Sequence, residues 1–400
     1  MTAVSAHDAQ GADMRAWAVG LAGFCAFLDL YATQGILPLL SRTLNVTALE
    51  ASATVSATTT AVALAAPFIG PLADVLGRKR VIVTAALGLA LPTLLAASAS
   101  TLHELSVWRF MQGLFMPAIF AVTIAYVGEE CQGPGLGRTM AAYVTGNILG
   151  GVCGRFVSAL VAARFGWQWS FVVLGCLNLL AGGALWWLLP SSRYFVREKN
   201  IATSLGALLV HLRNPRLLAG YLVGFNILFS IVGVFTYVNF QLAAEPFRLG
   251  TVALGSVFFV YLAGAVVTPV AGRWLHRLGS RAVLALAMLV ASGGVLLTLV
   301  RELPVVLIGL ALCAAGIFVC QSAANSYVAS SAGRGRSSAA GLYVAVYYLG
   351  GTVGATAPGF AYRSGGWTLC VALIVAVQIL TAAVALLFWR PPACAAASGG

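Results

Sequence analysis

Long apolar runs and short polar breaks alternate along the whole chain. The runs are about 17–26 residues long, and about 20 helical residues cross the ~30 Å hydrocarbon core of a bilayer. The pattern predicts twelve transmembrane helices. The first six are expected at 16–40, 49–71, 80–99, 105–128, 139–163 and 168–189. The second six are expected at 216–242, 250–272, 281–300, 304–328, 338–361 and 367–389. A closed barrel would show segments of about ten residues with alternating polarity, and these are absent. Helices are then the spanning elements that satisfy their own backbone. The expected fold is an all-α membrane protein with a six-helix bundle over 1–190 and a second over 216–390. Residues 191–215, with Arg193, Arg197, Lys199 and Arg213, read as a cytoplasmic linker. Residues 391–400 are Pro, Ala, Ser, Gly and one Cys, a composition that predicts a disordered tail.

The two halves repeat each other. Tyr143, Val144, Leu149, Gly150, Gly151, Gly154, Gly166 and Trp167 match Tyr343, Val344, Leu349, Gly350, Gly351, Gly354, Gly366 and Trp367 at a constant offset of 200. Pro67, Gly70, Leu76 and Gly77 match Pro269, Gly272, Leu278 and Gly279 at an offset of 202. Two collinear runs at nearly one offset imply duplication of a long unit. The offset spans six helices, an even number, so the halves have parallel topology. Their relating axis should run along the membrane normal.

Composition narrows the class further. Hydrophobic residues make up 60% of the 400, and charged residues only 8%. A soluble domain carries roughly a quarter charged residues. The net charge of +12 does not point to nucleic acid, because the positive charges sit in short clusters between apolar runs. With the N-terminus inside, 16 of the 23 Lys and Arg fall on the cytoplasmic side. Five fall outside, at Arg42, Arg164, Arg248, Arg301 and Arg363. That bias places both termini in the cytoplasm. The first fourteen residues include Asp8 and Asp13 and lack the basic start of a cleaved signal, so the first span should itself direct insertion. Eight scattered cysteines form no C-x-x-C pair, which predicts neither a disulfide framework nor a zinc site.

Between the second and third spans the chain reads Gly70-Pro-Leu-Ala-Asp74-Val-Leu-Gly77-Arg78-Lys79-Arg80. This string resembles the loop signature of the major facilitator superfamily, G-x-L-a-D-r-x-G-r-k-r. The resemblance covers the whole chain through helix count, duplication and linker position. It implies transport by alternating access, with Gly70, Asp74, Gly77, Arg78 and Arg80 as a cytoplasmic gate holding spans 2, 3 and 11. Arg109-Phe-Met-Gln112-Gly113 in span 4 is similar to the R-x-x-Q-G of the drug:proton antiporter branch. Gly146, Gly150, Gly151 and Gly154 in span 5 resemble that branch's antiporter motif, with Gly151 in place of its Pro and Arg155 in place of its last Gly. The resulting form is similar to a bacterial efflux subgroup labelled arabinose-efflux-permease-like. On physical grounds alone, Gly146, Gly150 and Gly154 form a ladder of small residues suited to tight helix packing.

Three charges fall at membrane depth: Asp29, Arg109 and Arg155. Each costs roughly 2.5–3.5 kcal/mol at the bilayer centre, so each is a functional candidate by default. All four histidines fall in expected loops or termini, which leaves Asp29 as the proton-coupling candidate. Its alternative role is to pair with Arg109 or Arg155, and Arg109 has the further alternative of snorkelling to the outer interface. Spans 1, 4, 7 and 10 typically line the central cavity in the resembling superfamily. The corresponding candidates are Tyr31, Gln34, Arg109, Gln112, Met116, Arg155, Asn226, Ser230, Tyr237, Gln321 and Asn325. Such a mixed aromatic and amide lining suits an amphipathic organic solute, though packing is an equal alternative for each amide.

No H-E-x-x-H, G-x-S-x-G or Walker sequence occurs, so neither an enzyme nor an ATP-driven pump is expected. The expected protein is a monomeric, multi-pass transporter of the cell inner membrane. It binds a small-molecule substrate within the lipid bilayer and uses the proton gradient without a cofactor. Efflux of small organic compounds by antiport is the leading expectation. Uptake, uniport or exchange of a sugar or organic anion is the alternative.

Overall fold

The computed structural model describes residues 6–131, 134–192, 214–331 and 336–389, and among these all regular structure is helical. The helices are α1 Ala6–Leu30, α2 Leu37–Thr43, α3 Ala48–Ala51, α4 Ala53–Leu76, α5 Arg78–Ala96, α6 Leu102–Glu130, α7 Pro134–Phe165 and α8 Trp167–Leu188. They continue with α9 Pro215–Ala243, α10 Thr251–Ser256, α11 Tyr261–Leu297, α12 Leu303–Ser331 and α13 Arg336–Phe388. The chain divides into two compact units. One comprises Met1–Ile201 with Gly250–Phe258, and the other comprises Ala202–Leu249 with Phe259–Gly400. Nearly all of the expected linker and all of the expected tail lie outside the described residues.

Among the described residues, ten helical stretches are long and apolar enough to cross a membrane, or eleven if the bent pair Asp13–Leu30 and Ala32–Thr43 is one span. One stretch, Ala339–Phe388, has 50 residues. At 1.5 Å per residue it is far too long for one ~30 Å crossing. It leaves helical geometry at Gly365 and Gly366 and so supplies two spans, which brings the total among the described residues to the expected twelve.

Three expected spans are corrected in form. The first, expected unbroken over 16–40, starts at Ala6, stops at Leu30 and resumes through a 3-10 turn at Ala32–Ile36, with a 42° bend. Pro38 explains the position of the break, since it has no N–H to offer the Gln34 carbonyl and its ring crowds that turn. The eighth, expected over 250–272, is interrupted by a 3-10 turn at Val257–Val260. The eighth and ninth then run together in α11 through Gly279, whose φ of 75° and ψ of 159° mark the turn.

The repeated glycines have a backbone reason. Gly77 and Gly279, and Gly166 and Gly366, have φ of 93°, 75°, 96° and 63°. Residues with a Cβ seldom adopt that region. Each repeat pair therefore marks the tight turn between two consecutive spans.

A second shared device packs the units internally. In the first, a side chain on Gly146, Gly150 or Gly154 of α7 would collide with the carbonyl oxygens of Gly20, Phe24 and Leu28 on α1. In the second, a side chain on Gly350 or Gly354 of α13 would collide with the Phe225 and Phe229 carbonyls of α9. Close backbone approach of this kind is how small residues hold membrane helices together.

Candidate functional site

The deep charges of the first unit gather around the broken end of α1. A helix end leaves carbonyls without intrahelical partners and carries partial negative charge. Arg109, fully buried on α6, meets both needs. Its Nη1 donates to the Asp29 carbonyl at 2.8 Å and its Nη2 to the Leu30 carbonyl at 2.8 Å. Nε donates to the Thr54 carbonyl of α4 at 3.2 Å, and Nη1 also donates to the Gln112 side chain. Gln112 passes the network on, its Nε2 donating to Thr93 Oγ1 of α5 at 3.1 Å. The snorkelling alternative for Arg109 is thereby excluded.

The Asp29 carboxylate, also fully buried, turns to α8. Its Oδ2 accepts from Asn178 Nδ2. Asn178 Oδ1 in turn accepts from Cys25 Sγ at 3.4 Å. Asp29 Oδ1 makes no well-formed hydrogen bond, although Thr93 and Arg109 lie close enough to act on the carboxyl. Among the described residues, the ion pairs within 4.0 Å do not include Asp29. The expected alternative, a direct pair between Asp29 and one of the two arginines, is not what the side chains make.

Arg155 belongs to a separate cluster of the same unit. It follows Gly154 on α7, and the break in the first span brings Tyr31 and Gln34 opposite it. Its Nε and Nη2 donate to Gln34 Oε1 at 2.9 and 2.8 Å, and Nη1 donates to the Gly151 carbonyl at 2.6 Å. The guanidinium carbon lies 4.8 Å from the Tyr31 ring centroid and 4.7 Å from that of Phe258. Cation–π contacts of this geometry strengthen as the site is dried, and Arg155 is only 3% exposed. Met116 of α6 is wholly buried.

At one end of this unit, Asp74, Arg78 and Glu129 form a chain of charges. Arg78 Nη2 lies 2.5 Å from Asp74 Oδ1 and 2.7 Å from Glu129 Oε1. Among the described residues these pairs join α4, α5 and α6, which is spans 2, 3 and 4. Arg80 is exposed, and a side chain on Gly70 would meet open space.

In the second unit, Tyr237 of α9 is buried and donates to the Ala355 carbonyl of α13 at 2.6 Å, a packing contact. Asn226 Nδ2 and Ser230 Oγ are buried without a hydrogen-bond partner among the described residues. Gln321 Nε2 donates to Asn325 Oδ1 at 3.3 Å, and Asn325 is exposed.

Thr93, Leu30 and four further participants were not foreseen. Asn178 carried a readable signal as an amide in mid-span, far from the polar start of its run. Glu129 could have been matched to Arg78 by its place at the end of span 4. Thr54 contributes a main-chain oxygen and Phe258 an apolar ring, and neither announces itself in a sequence.

These features define a polytopic helical membrane protein with charges buried inside a duplicated bundle. The profile of the Major Facilitator Superfamily matches residues 19–334 and again 243–400, and the chain belongs to that family. It is 32% identical over 354 residues to the uncharacterized MFS-type transporter YybF of Bacillus subtilis, covering 88% of each chain. It is 31% identical over 366 residues to the inner membrane transport protein YnfM of Escherichia coli, covering 90% of this chain and 87% of that one. A gallate transporter of Pseudomonas putida is 30% identical over 220 residues, 54% of this chain and 47% of its own length. Among solved structures, the human organic anion transporter MFSD10 superposes with a TM-score of 0.72 at 18% identity, over 94% of this chain and 99% of that one. The protein is a non-enzymatic, multi-pass membrane transporter.

Proposed function

We propose that this transporter is a proton-coupled exporter of small organic compounds, seated in the cell inner membrane with both termini in the cytoplasm. Asp29 carries the reading. It is a fully buried carboxylate held through one oxygen by the neutral Asn178, with its ion-pair distances to arginine beyond 4.0 Å. A carboxyl held by a neutral partner can gain and lose a proton without breaking a direct ion pair. Buried ionisable groups in membrane spans commonly mark such relays. The export direction rests on the R-x-x-Q-G at Arg109–Gly113 and the glycine ladder of α7. The deciding experiment uses proteoliposomes with an imposed pH gradient and measures substrate-dependent proton flux. Asp29→Asn should abolish uphill transport while downhill exchange survives. Undiminished uphill coupling in that variant would remove Asp29 from the mechanism.

A second reading concerns the solute. Arg155, flanked by two aromatic rings and oriented by Gln34, is suited to a flat organic anion. The partial relative named as a gallate transporter supports this reading. Competition between small aromatic acids and neutral or cationic compounds in the same proteoliposomes separates the two solute classes. Preference for neutral or cationic solutes that survives in Arg155→Gln would reject the anion.

A further inference from the structure

At the end of the first unit that carries Arg78–Arg80, a cavity of about 700 Å³ opens between the start of α5 and the end of α8. We propose that it is a binding site for the headgroup of an anionic phospholipid, with the lipid's acyl chains lying along the adjoining faces of α5 and α8. The inference needs only the membrane location and holds for either orientation.

Its polar wall is built for a phosphate. The helix α5 has 19 residues and begins at Arg78 behind Gly77, with no side-chain cap and no acid in its first turn. Its earliest N–H groups therefore remain open beside the cavity, since the first intrahelical bond there runs from Val81 N–H to the Gly77 carbonyl. Lys79 and Arg80 line the same space, and among the described residues neither has a carboxylate within 4.0 Å. Arg78 is different, because Asp74 and Glu129 already hold it. Across the cavity stand Ser191 and Ser192. The Tyr126 hydroxyl fixes this segment by donating to the Pro190 carbonyl at 3.1 Å.

The other wall is apolar. Val83 and Leu87 of α5 and Trp186 of α8 line it, and Trp186 is 67% exposed, as a ring facing lipid would be. Trp side chains favour the level of the headgroups, where one edge is wet and the face is apolar. Two cations without a carboxylate partner among the described residues, and open amides, beside an apolar wall match an anion attached to hydrocarbon. A soluble metabolite would have no use for the second wall.

Native mass spectrometry of the full chain, released from detergent with phosphatidylglycerol or phosphatidylcholine, tests the assignment. The wild type should retain phosphatidylglycerol preferentially. The double change Lys79→Gln with Arg80→Gln should weaken that retention by about tenfold or more, at roughly 1 kcal/mol per cation. Thr84→Trp, which fills the cavity and keeps both charges, should weaken it as well. Arg277→Gln with Arg281→Gln, an equal loss of charge in the other unit, should leave it unchanged. Equal retention of both lipids would overturn the proposal, as would equal losses from the two double changes. Full suppression of the lipid adduct by millimolar inorganic phosphate would reassign the site to a free anion.

Discussion

Replacing Arg109 with leucine should damage the protein through its backbone before it touches transport. In the native chain this guanidinium serves three main-chain carbonyls, those of Asp29, Leu30 and Thr54, from three different nitrogens. Leucine fills much of the same volume and serves none. A buried polar group left without a partner costs about 1–3 kcal/mol, so three stranded carbonyls cost at least about 3 kcal/mol. Single changes rarely exceed about 4–5 kcal/mol, which sets the upper end. For a unit of about 200 residues each kcal/mol moves the unfolding midpoint by about 2–4 °C, so a fall of about 10 °C is expected. Arg109→Lys offers a further control. It keeps the charge, but one ammonium cannot reach carbonyls that now take Nε, Nη1 and Nη2 separately, so it should recover less than half of the loss. Tryptophan fluorescence during heating of the purified protein reads both variants. A leucine variant that unfolds with the wild type, or a lysine variant fully restored, would show that the broken end of α1 does not depend on this side chain.

Other outcomes follow from the same contacts. Gly154→Val should abolish folded protein in the membrane, because its side chain would enter the Leu28 carbonyl, whereas Gly70→Val should be tolerated in open space; membrane yield compares them. Asp29→Asn and Arg155→Gln share no hydrogen-bond partner, so their stability effects should add within about 0.5 kcal/mol; a larger coupling would show a hidden link. Glu129→Gln should lower stability by about 1 kcal/mol or less, since Glu129 is part-exposed, while binding measured at equilibrium stays unchanged. A maleimide applied from outside should label cysteine at Glu245 and Arg363 and spare cysteine at Lys79, and the reverse pattern would invert the orientation.

The architecture was legible because lipid imposes a coarse rule. Apolar length and the glycine repeat marked the spans and placed Gly77 and Gly279 at turns. The break at Tyr31 was less visible, because Pro38 acts one turn back on Gln34 and an apolar run hides it. For the site, expected membrane depth singled out Asp29, Arg109 and Arg155, and all three side chains are buried. Gln34, Tyr31 and Gln112 were named as candidates, but which charge each would serve was not inferable. Opposite signs encouraged a pairing of Asp29 with arginine, but buried carbonyls at a helix end also need donors, and every residue has a carbonyl. Arg109 took carbonyls at a helix end whose existence depended on the unforeseen break. Of the cavity candidates on α9, Tyr237 spends its hydroxyl on the Ala355 carbonyl.

The separation between Asp29 and Asn178 along the chain has a consequence for biosynthesis. They are 149 residues apart, on the first and sixth spans. At about 5–20 residues per second, the ribosome needs about 7–30 s to make the second after the first. Throughout that interval the first span carries an acid that its eventual neighbour has not yet reached. Arg109, 80 residues on from Asp29, arrives sooner, and its hydrogen bond to Asp29 goes to the main chain. Until the sixth emerges, the nascent first helix bears the roughly 2.5–3.5 kcal/mol cost of a lone acid in lipid, which favours its staying beside the insertion machinery. Slowing translation between the two codons should lengthen the time for which the half-made protein stays crosslinkable to the translocon.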